Sequence, residues 1–218
     1  NCDGITDWGD EMPETDILFV IDWSGSMSDE ISAVLIALNT FAQDFSDEDV
    51  LKWGLIRGPV PLPNDQEFLE LTQELVGFSD FLLTMSQLDT SYSAMSTAYE
   101  MLLDAVYLAV NNIAGILPQA IPDLSWGSIF PIADSKPTLQ NFNVNWRPGV
   151  DRIIIVFTDE PEQSYLEPNI SLSDVIIAAG STPQLKVYTF SKSALHGWDE
   201  LSDGANGKNF KLTSNPTD

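Results

Sequence analysis

Two stretches of the chain are apolar without alternation. Asp16 to Asp22 (DILFVID) and Arg152 to Thr158 (RIIIVFT, followed by Asp159) have strand length and no polar face. That is the pattern of strands buried on both sides of a sheet. Between and after them the pattern switches to helical spacing. Ser28-Asp29-Glu30 opens a helix with a polar start and acids in its first turn. Ile31, Val34, Leu35, Leu38, Phe41 and Phe45 then recur at helical intervals. Further along, the pattern predicts a short strand at Trp53–Arg57, a proline-rich turn at GPVPLPNDQE, a third strand at Phe68–Phe78, a short helix at Phe81–Leu88 and a longer one from about Ser93 to Ile113. The last third predicts a helix at Leu172–Ala179, a strand at Leu185–Phe190, a short helix at WDELSDGA and an edge strand at NFKLT.

Strands alternating with helices predict an α/β fold. The expected form is doubly wound, with a mostly parallel central sheet of about six strands, one antiparallel edge strand and helices on both faces. Residues 1–15 read as an acidic N-terminal arm, 16–213 as the domain and 214–218 as a tail. Residues 114–149, with five prolines and two tryptophans, form an irregular insertion. It is expected at the pole opposite the site or along an edge, with Trp126, Phe130 and Trp146 forming a local mini-core.

In such a sheet ligands sit outside the carboxyl ends of the strands. The two best strands end in Asp22 and Asp159, so topology alone sends both acids to one rim. Asp22, Ser24 and Ser26 follow at i, i+2, i+4 spacing, with Gly25 permitting a tight path. Carboxylate and hydroxyl oxygens are hard donors, suited to Mg²⁺, Ca²⁺ or Mn²⁺. The competing reading of DWSGSMS is a polar strand-to-helix turn capped by Ser28. Trp23, between the candidate ligands, reads either as packing or as a rim residue.

Composition narrows the partners. The 218 residues carry 33 acidic and 9 basic side chains, a formal net charge of −24, with 44% hydrophobic residues. A chain this apolar can build a core. A surface this negative disfavours nucleic acid and anionic lipid, and it favours cations. The single cysteine, Cys2, allows no disulfide within the chain and no cysteine metal site. Charge and cysteine usage lean towards an exported, extracellular or cell-surface protein of bacterial origin. No apolar run spans a membrane.

With these motifs in view, the chain resembles the von Willebrand factor type A domain with its metal-ion-dependent adhesion site, over roughly residues 16–213. DWSGSM matches Asp-x-Ser-x-Ser through Asp22, Ser24 and Ser26; LDTS offers Thr90; IIIVFTDE offers Asp159. Ser91, Ser93 and Thr97 are neighbouring alternatives to Thr90. Many members have glycine where this chain has Glu160, which adds a carboxylate beside the site. The usual last helix has no counterpart after Thr213. The resemblance implies that Ser24, Ser26 and Thr90 offer neutral oxygens to a divalent cation while Asp22 and Asp159 act largely through bound waters. The partner is then a protein or other surface ligand presenting a carboxylate, and Asn64, Asp65 and Glu67 would frame the contact surface.

An enzyme is not expected. There is no Gly-x-Ser-x-Gly elbow and no glycine-rich phosphate loop; the only histidine, His196, lies far along the chain. Aspartic protease chemistry needs two copies of an Asp-Thr-Gly-Ser-like motif, and one is present. Asp22 and Asp159 could hold Mg²⁺ for phosphoryl transfer, but no basic residue lies near the motifs in sequence except Arg152, at the wrong end of its strand. The alternative to adhesion is a structural domain that assembles a surface fibre or complex without using the ion.

Overall fold

The structure, a computed structural model, describes residues 13–43, 50–62, 66–88, 101–115, 125–126, 142–167, 170–192 and 196–212. In chain order the strands are β1 (Thr15–Asp22), β2 (Leu51–Leu62), β3 (Gln66–Val76), β4 (Ser125–Trp126), β5 (Asp151–Thr158), β6 (Leu166–Glu167), β7 (Leu185–Ser191) and β8 (Asn209–Lys211). The helices are α1 (Ser28–Gln43), α2 (Phe78–Gln87), α3 (Leu102–Ile113), α4 (Leu172–Gly180) and α5 (His196–Gly204), and a single 3₁₀ turn at Gly25–Met27 leads into α1. Six strands form the main sheet in the order β3-β2-β1-β5-β7-β8, all parallel except the edge strand β3. The expected α/β architecture is therefore present.

β1 is apolar throughout because it is buried along its whole length, at the middle of the sheet. Its alternate residues feed two cores. Leu18 and Val20 join Ile56, Ile154, Val156 and Val187 under α3, α4 and α5, while Ile17, Phe19 and Ile21 pack with Trp53, Leu55, Ile31, Val34, Leu38 and Phe81 under α1 and α2. Winding thus reverses at β1, whose sequel α1 covers one face while the sequel of β5 returns on the other. The crevice at the carboxyl ends of β1 and β5 is the position where such folds bind ligands.

Three expectations change. The proline-rich segment is not simply a turn: β2 continues to Leu62 and β3 begins at Gln66, with Pro61 opposite Glu67. β1 pairs with β2 only as far as Gly58. Beyond that point Pro59 and Pro61 lie in a two-stranded extension, where a missing N–H is tolerated as on any edge. Second, the helix expected from Ser93 is helical in the described chain only from Leu102; Met101 has φ of 42°, a left-handed conformation incompatible with a helix running through it. Residues 89–100 lie outside the described ones.

Third, the described parts of the insertion go to two places. Val144 and Trp146 pack near the amino ends of the strands, where the Val144 N–H donates to Asn112 Oδ1 and Trp146 Nε1 donates to the Ala109 carbonyl. Trp146 therefore joins the main core and not a separate mini-core. β4 instead pairs antiparallel with β6, in the segment leaving the carboxyl end of β5. That contact is not at the pole opposite the site. Phe130, residues 1–12 of the N-terminal arm and the whole tail at 214–218 lie outside the described residues.

Candidate functional site

Register brings the rim residues together. Ile21 lies opposite Phe157 in the β1–β5 ladder, so the next residues, Asp22 and Thr158, meet at the end. Thr158 Oγ1 donates to Asp22 Oδ2 at 2.9 Å, and the Ser24 N–H donates to Asp22 Oδ1 at 2.9 Å. Asp22 thereby folds the following loop back over the strand end. Ser24 Oγ and Ser26 Oγ are 2.9 Å apart, and Ser26 Oγ donates to Asp159 Oδ1 at 3.0 Å. Asp22, Ser24, Ser26 and Asp159 thus form one connected group of oxygens, drawn from positions 137 residues apart at its extremes (159 − 22).

The alcohols are not occupied in capping. Ser24 has extended backbone angles (φ −70°, ψ 161°) before the 3₁₀ turn, yet its side chain accepts no cap hydrogen bond. Ser28 has helical angles (φ −55°, ψ −40°) and begins α1, whereas an N-cap residue is extended. The polar-turn reading with Ser28 as cap does not describe this loop.

Asp22 is fully buried and Asp159 nearly so. Burial pushes the Asp22 carboxyl up to about 6; hydrogen bonds from Ser24 and Thr158 oppose the rise, and the nearby Asp159 charge adds to it. Two acids close together in a poorly solvated crevice favour a cation between or beside them. Among the described residues no three His, Cys, Asp or Glu side chains gather as a carboxylate-type cage. The oxygen set is instead two alcohols and two acids, which suits a hard divalent ion and no soft one.

A cation within the chain already touches this group. Lys192 Nζ lies 2.5 Å from Asp159 Oδ2. Thr158 pairs with Ser191 in the β5–β7 ladder, so the residues after each, Asp159 and Lys192, emerge side by side. The signal in the sequence was a lysine directly following the strand LKVYTFS, but only the strand order gives it a neighbour. Arg57 also reaches this end of the sheet. Its guanidinium lies 4.8 Å from the Trp23 ring centroid and its Nη2 bonds Glu70 at 2.6 Å. Trp23 is buried, so packing is its role.

The loop after β5 is fixed from behind. The Glu160 N–H donates to Thr158 Oγ1 at 3.0 Å, and Trp198 Nε1 donates to the Glu160 carbonyl at 2.9 Å. Farther along, buried Asp104 on α3 accepts from Ser164 Oγ at 2.5 Å and from the Tyr165 N–H at 2.6 Å. Burial raises its carboxyl to about 6 against these hydrogen bonds. Nothing in the spacing of the helical residues around Asp104 singled it out. Thr90, Ser91, Ser93, Thr97, Asn64 and Asp65 lie outside the described residues.

No protein-family model matches the sequence, and no curated protein matches it. Among solved structures, proximal thread matrix protein 1 from the mussel byssus superposes with a TM-score of 0.51 and 8% identity, covering 91% of this chain and 44% of that one. The fold is von Willebrand factor type A-like. The VWA domain of SpRpn10 also matches, with 14% identity and a TM-score of 0.48 over 93% of this chain and 90% of that domain. At 8% identity the likeness to the mussel byssus protein speaks for the fold alone. The residues at its rim have to be judged by their own chemistry.

Proposed function

We propose that this domain is a divalent-cation-dependent adhesion or protein-binding module that takes an acidic group of its partner at the rim of β1 and β5. The observation that carries the reading is the unbroken chain of oxygens from Ser24 Oγ through Ser26 Oγ to Asp159 Oδ1, beside the buried Asp22 carboxylate. Ser24 and Ser26 offer neutral oxygens. Asp22, with both carboxylate oxygens held by Ser24 and Thr158, fixes the loop that presents those alcohols. Asp159 supplies the second acid, and Thr90 remains the expected third alcohol. Mg²⁺, Ca²⁺ or Mn²⁺ held by a set poor in charge supplies an electrophilic centre that a partner's carboxylate can complete. The excess of acid over base suits a calcium- or magnesium-rich setting outside the cell.

Calorimetry with each of the three ions tests the site. The wild type is expected to bind at least one of them, and Ser24→Ala/Ser26→Ala to lose that heat. Equal heats from both proteins would remove the site.

A second reading is an assembly module that works without an ion. The observation favouring it is the Lys192–Asp159 ion pair, which gives one rim acid a partner from within the chain. Partner binding or self-association that persists unchanged in EDTA would select this reading; loss in EDTA selects adhesion.

A further inference from the structure

We infer that Lys192 is a built-in counter-cation of the rim site, which must leave Asp159 for a divalent ion to enter and so sets the concentration at which the site fills. This rests on the divalent-site reading above and concerns how that site is controlled.

The geometry is specific. Lys192 Nζ sits 2.5 Å from Asp159 Oδ2, and Asp159 Oδ1 is the oxygen that receives Ser26 Oγ. One carboxylate therefore joins the ammonium on one side to the alcohol chain on the other. The side chain of Asp159 is 2% exposed and that of Lys192 51% exposed. The acid is consequently fixed in the crevice, while the lysine reaches in from solvent on a flexible stem. Glu30 on α1 and Glu160 also direct negative potential at the ammonium. No second lysine or arginine forms an ion pair with Asp22 or Asp159 among the described residues.

Repulsion between cations decides the order of events. Asp159 is the acid that Lys192 holds through Oδ2, and it is also the acid joined to Ser26 through Oδ1. A divalent ion held by Ser26 and Asp159 while the ammonium stays on Asp159 would put two cations a few ångströms apart in a crevice that screens poorly, and Glu30 and Glu160 attract both cations alike. Swinging the lysine into solvent removes that repulsion and frees Asp159 for the ion. Occupancy of the site and the Lys192–Asp159 contact therefore exclude each other. The ammonium also keeps the buried Asp159 carboxylate from standing uncompensated when divalent ions are scarce. The half-exposed stem makes the exchange a side-chain rotation, with no rearrangement of β5 or β7.

The test is Mn²⁺ binding measured by calorimetry, checked by the electron paramagnetic resonance signal of free Mn²⁺, on wild type, Lys192→Met and Lys192→Arg. Lys192→Met is expected to bind Mn²⁺ at least about tenfold more tightly than wild type, from the removed charge. Lys192→Arg, which keeps the charge, should stay within about threefold of wild type. A second readout needs no partner: in EDTA, Lys192→Met should melt below wild type, and Mn²⁺ should close the gap. Equal Mn²⁺ affinity in wild type and Lys192→Met, with Ser24→Ala/Ser26→Ala abolishing binding in both, would overturn the role of Lys192 while leaving the site intact. Mn²⁺ binding that survives Ser24→Ala/Ser26→Ala, or is missing from every protein, would overturn the site reading and this inference with it.

Discussion

β1 carries a buried aspartate near each end, Asp16 and Asp22, and the two are treated in opposite ways. Asp16, at the amino end, receives the Arg147 Nε at 2.7 Å and the Arg147 N–H at 2.8 Å. The same guanidinium also donates to the carbonyls of Thr15 and Val50, tying three segments together. Asp22, at the carboxyl end, is equally buried but receives only neutral donors, from Ser24 and Thr158. One carboxylate is neutralised by a cation built into the fold. The other is held in position beside a second acid, and charge compensation is left to something else. A buried acid with its own arginine is a brace. One that is oriented but not neutralised, and that lies beside a second acid at the carboxyl rim of the sheet, is where a cation is wanted.

The largest effect should come from breaking the brace. Arg147→Met leaves Asp16 buried without its cation and is expected to cost roughly 3–5 kcal/mol in denaturant unfolding. A loss below about 1 kcal/mol would mean that solvent reaches Asp16 in the folded protein. A smaller effect is expected at the loop behind the site. The Asp104 carboxyl lies near 6 in the folded chain and at 3.8 as a free side chain, so the folded state holds the extra proton between those values. Its contribution to stability is therefore fully present below pH 3.8 and is lost as pH rises through 6. Asp104→Asn should flatten the wild type's decline across that window by about 3 kcal/mol. Parallel curves for the two proteins would contradict the assignment. The smallest effect belongs to the site itself. Asp22→Asn keeps the acceptor for Ser24 and removes a desolvated charge, so in EDTA its unfolding free energy should stay within about 1 kcal/mol of wild type. A severe loss there would make Asp22 a second brace and erase the contrast.

The architecture was legible because β1 and β5 are uniform apolar runs that only a sheet covered on both faces explains, and because each ends in an acid. Asp22, Ser24, Ser26 and Asp159 could be placed on one rim for the same reason: strand ends are easy to locate and parallel strands share a rim. Lys192 could not be found that way. Its position beside Asp159 depends on the β5–β7 register, and sequence patterns do not order strands within a sheet. Asp104 was hidden for a related reason, since its partners lie 60 and 61 residues away on a loop without periodicity. Pro59 and Pro61 read as a turn because Pro opposes central strands, while here they occupy a two-stranded extension free of β1. The boundary of α3 was missed because a left-handed Met101 leaves no mark in a run of apolar residues.

The central claim is that Ser24 and Ser26 face a common point beside Asp22 and Asp159 in order to hold a divalent ion. Anomalous diffraction from crystals grown with Mn²⁺ addresses it without reference to any partner. The account predicts one strong peak at the carboxyl rim of β1 and β5, in contact with both serine hydroxyls and with Lys192 Nζ withdrawn from Asp159. A peak elsewhere on the acidic surface, or a rim unchanged with Lys192 still on Asp159 at saturating Mn²⁺, would contradict it.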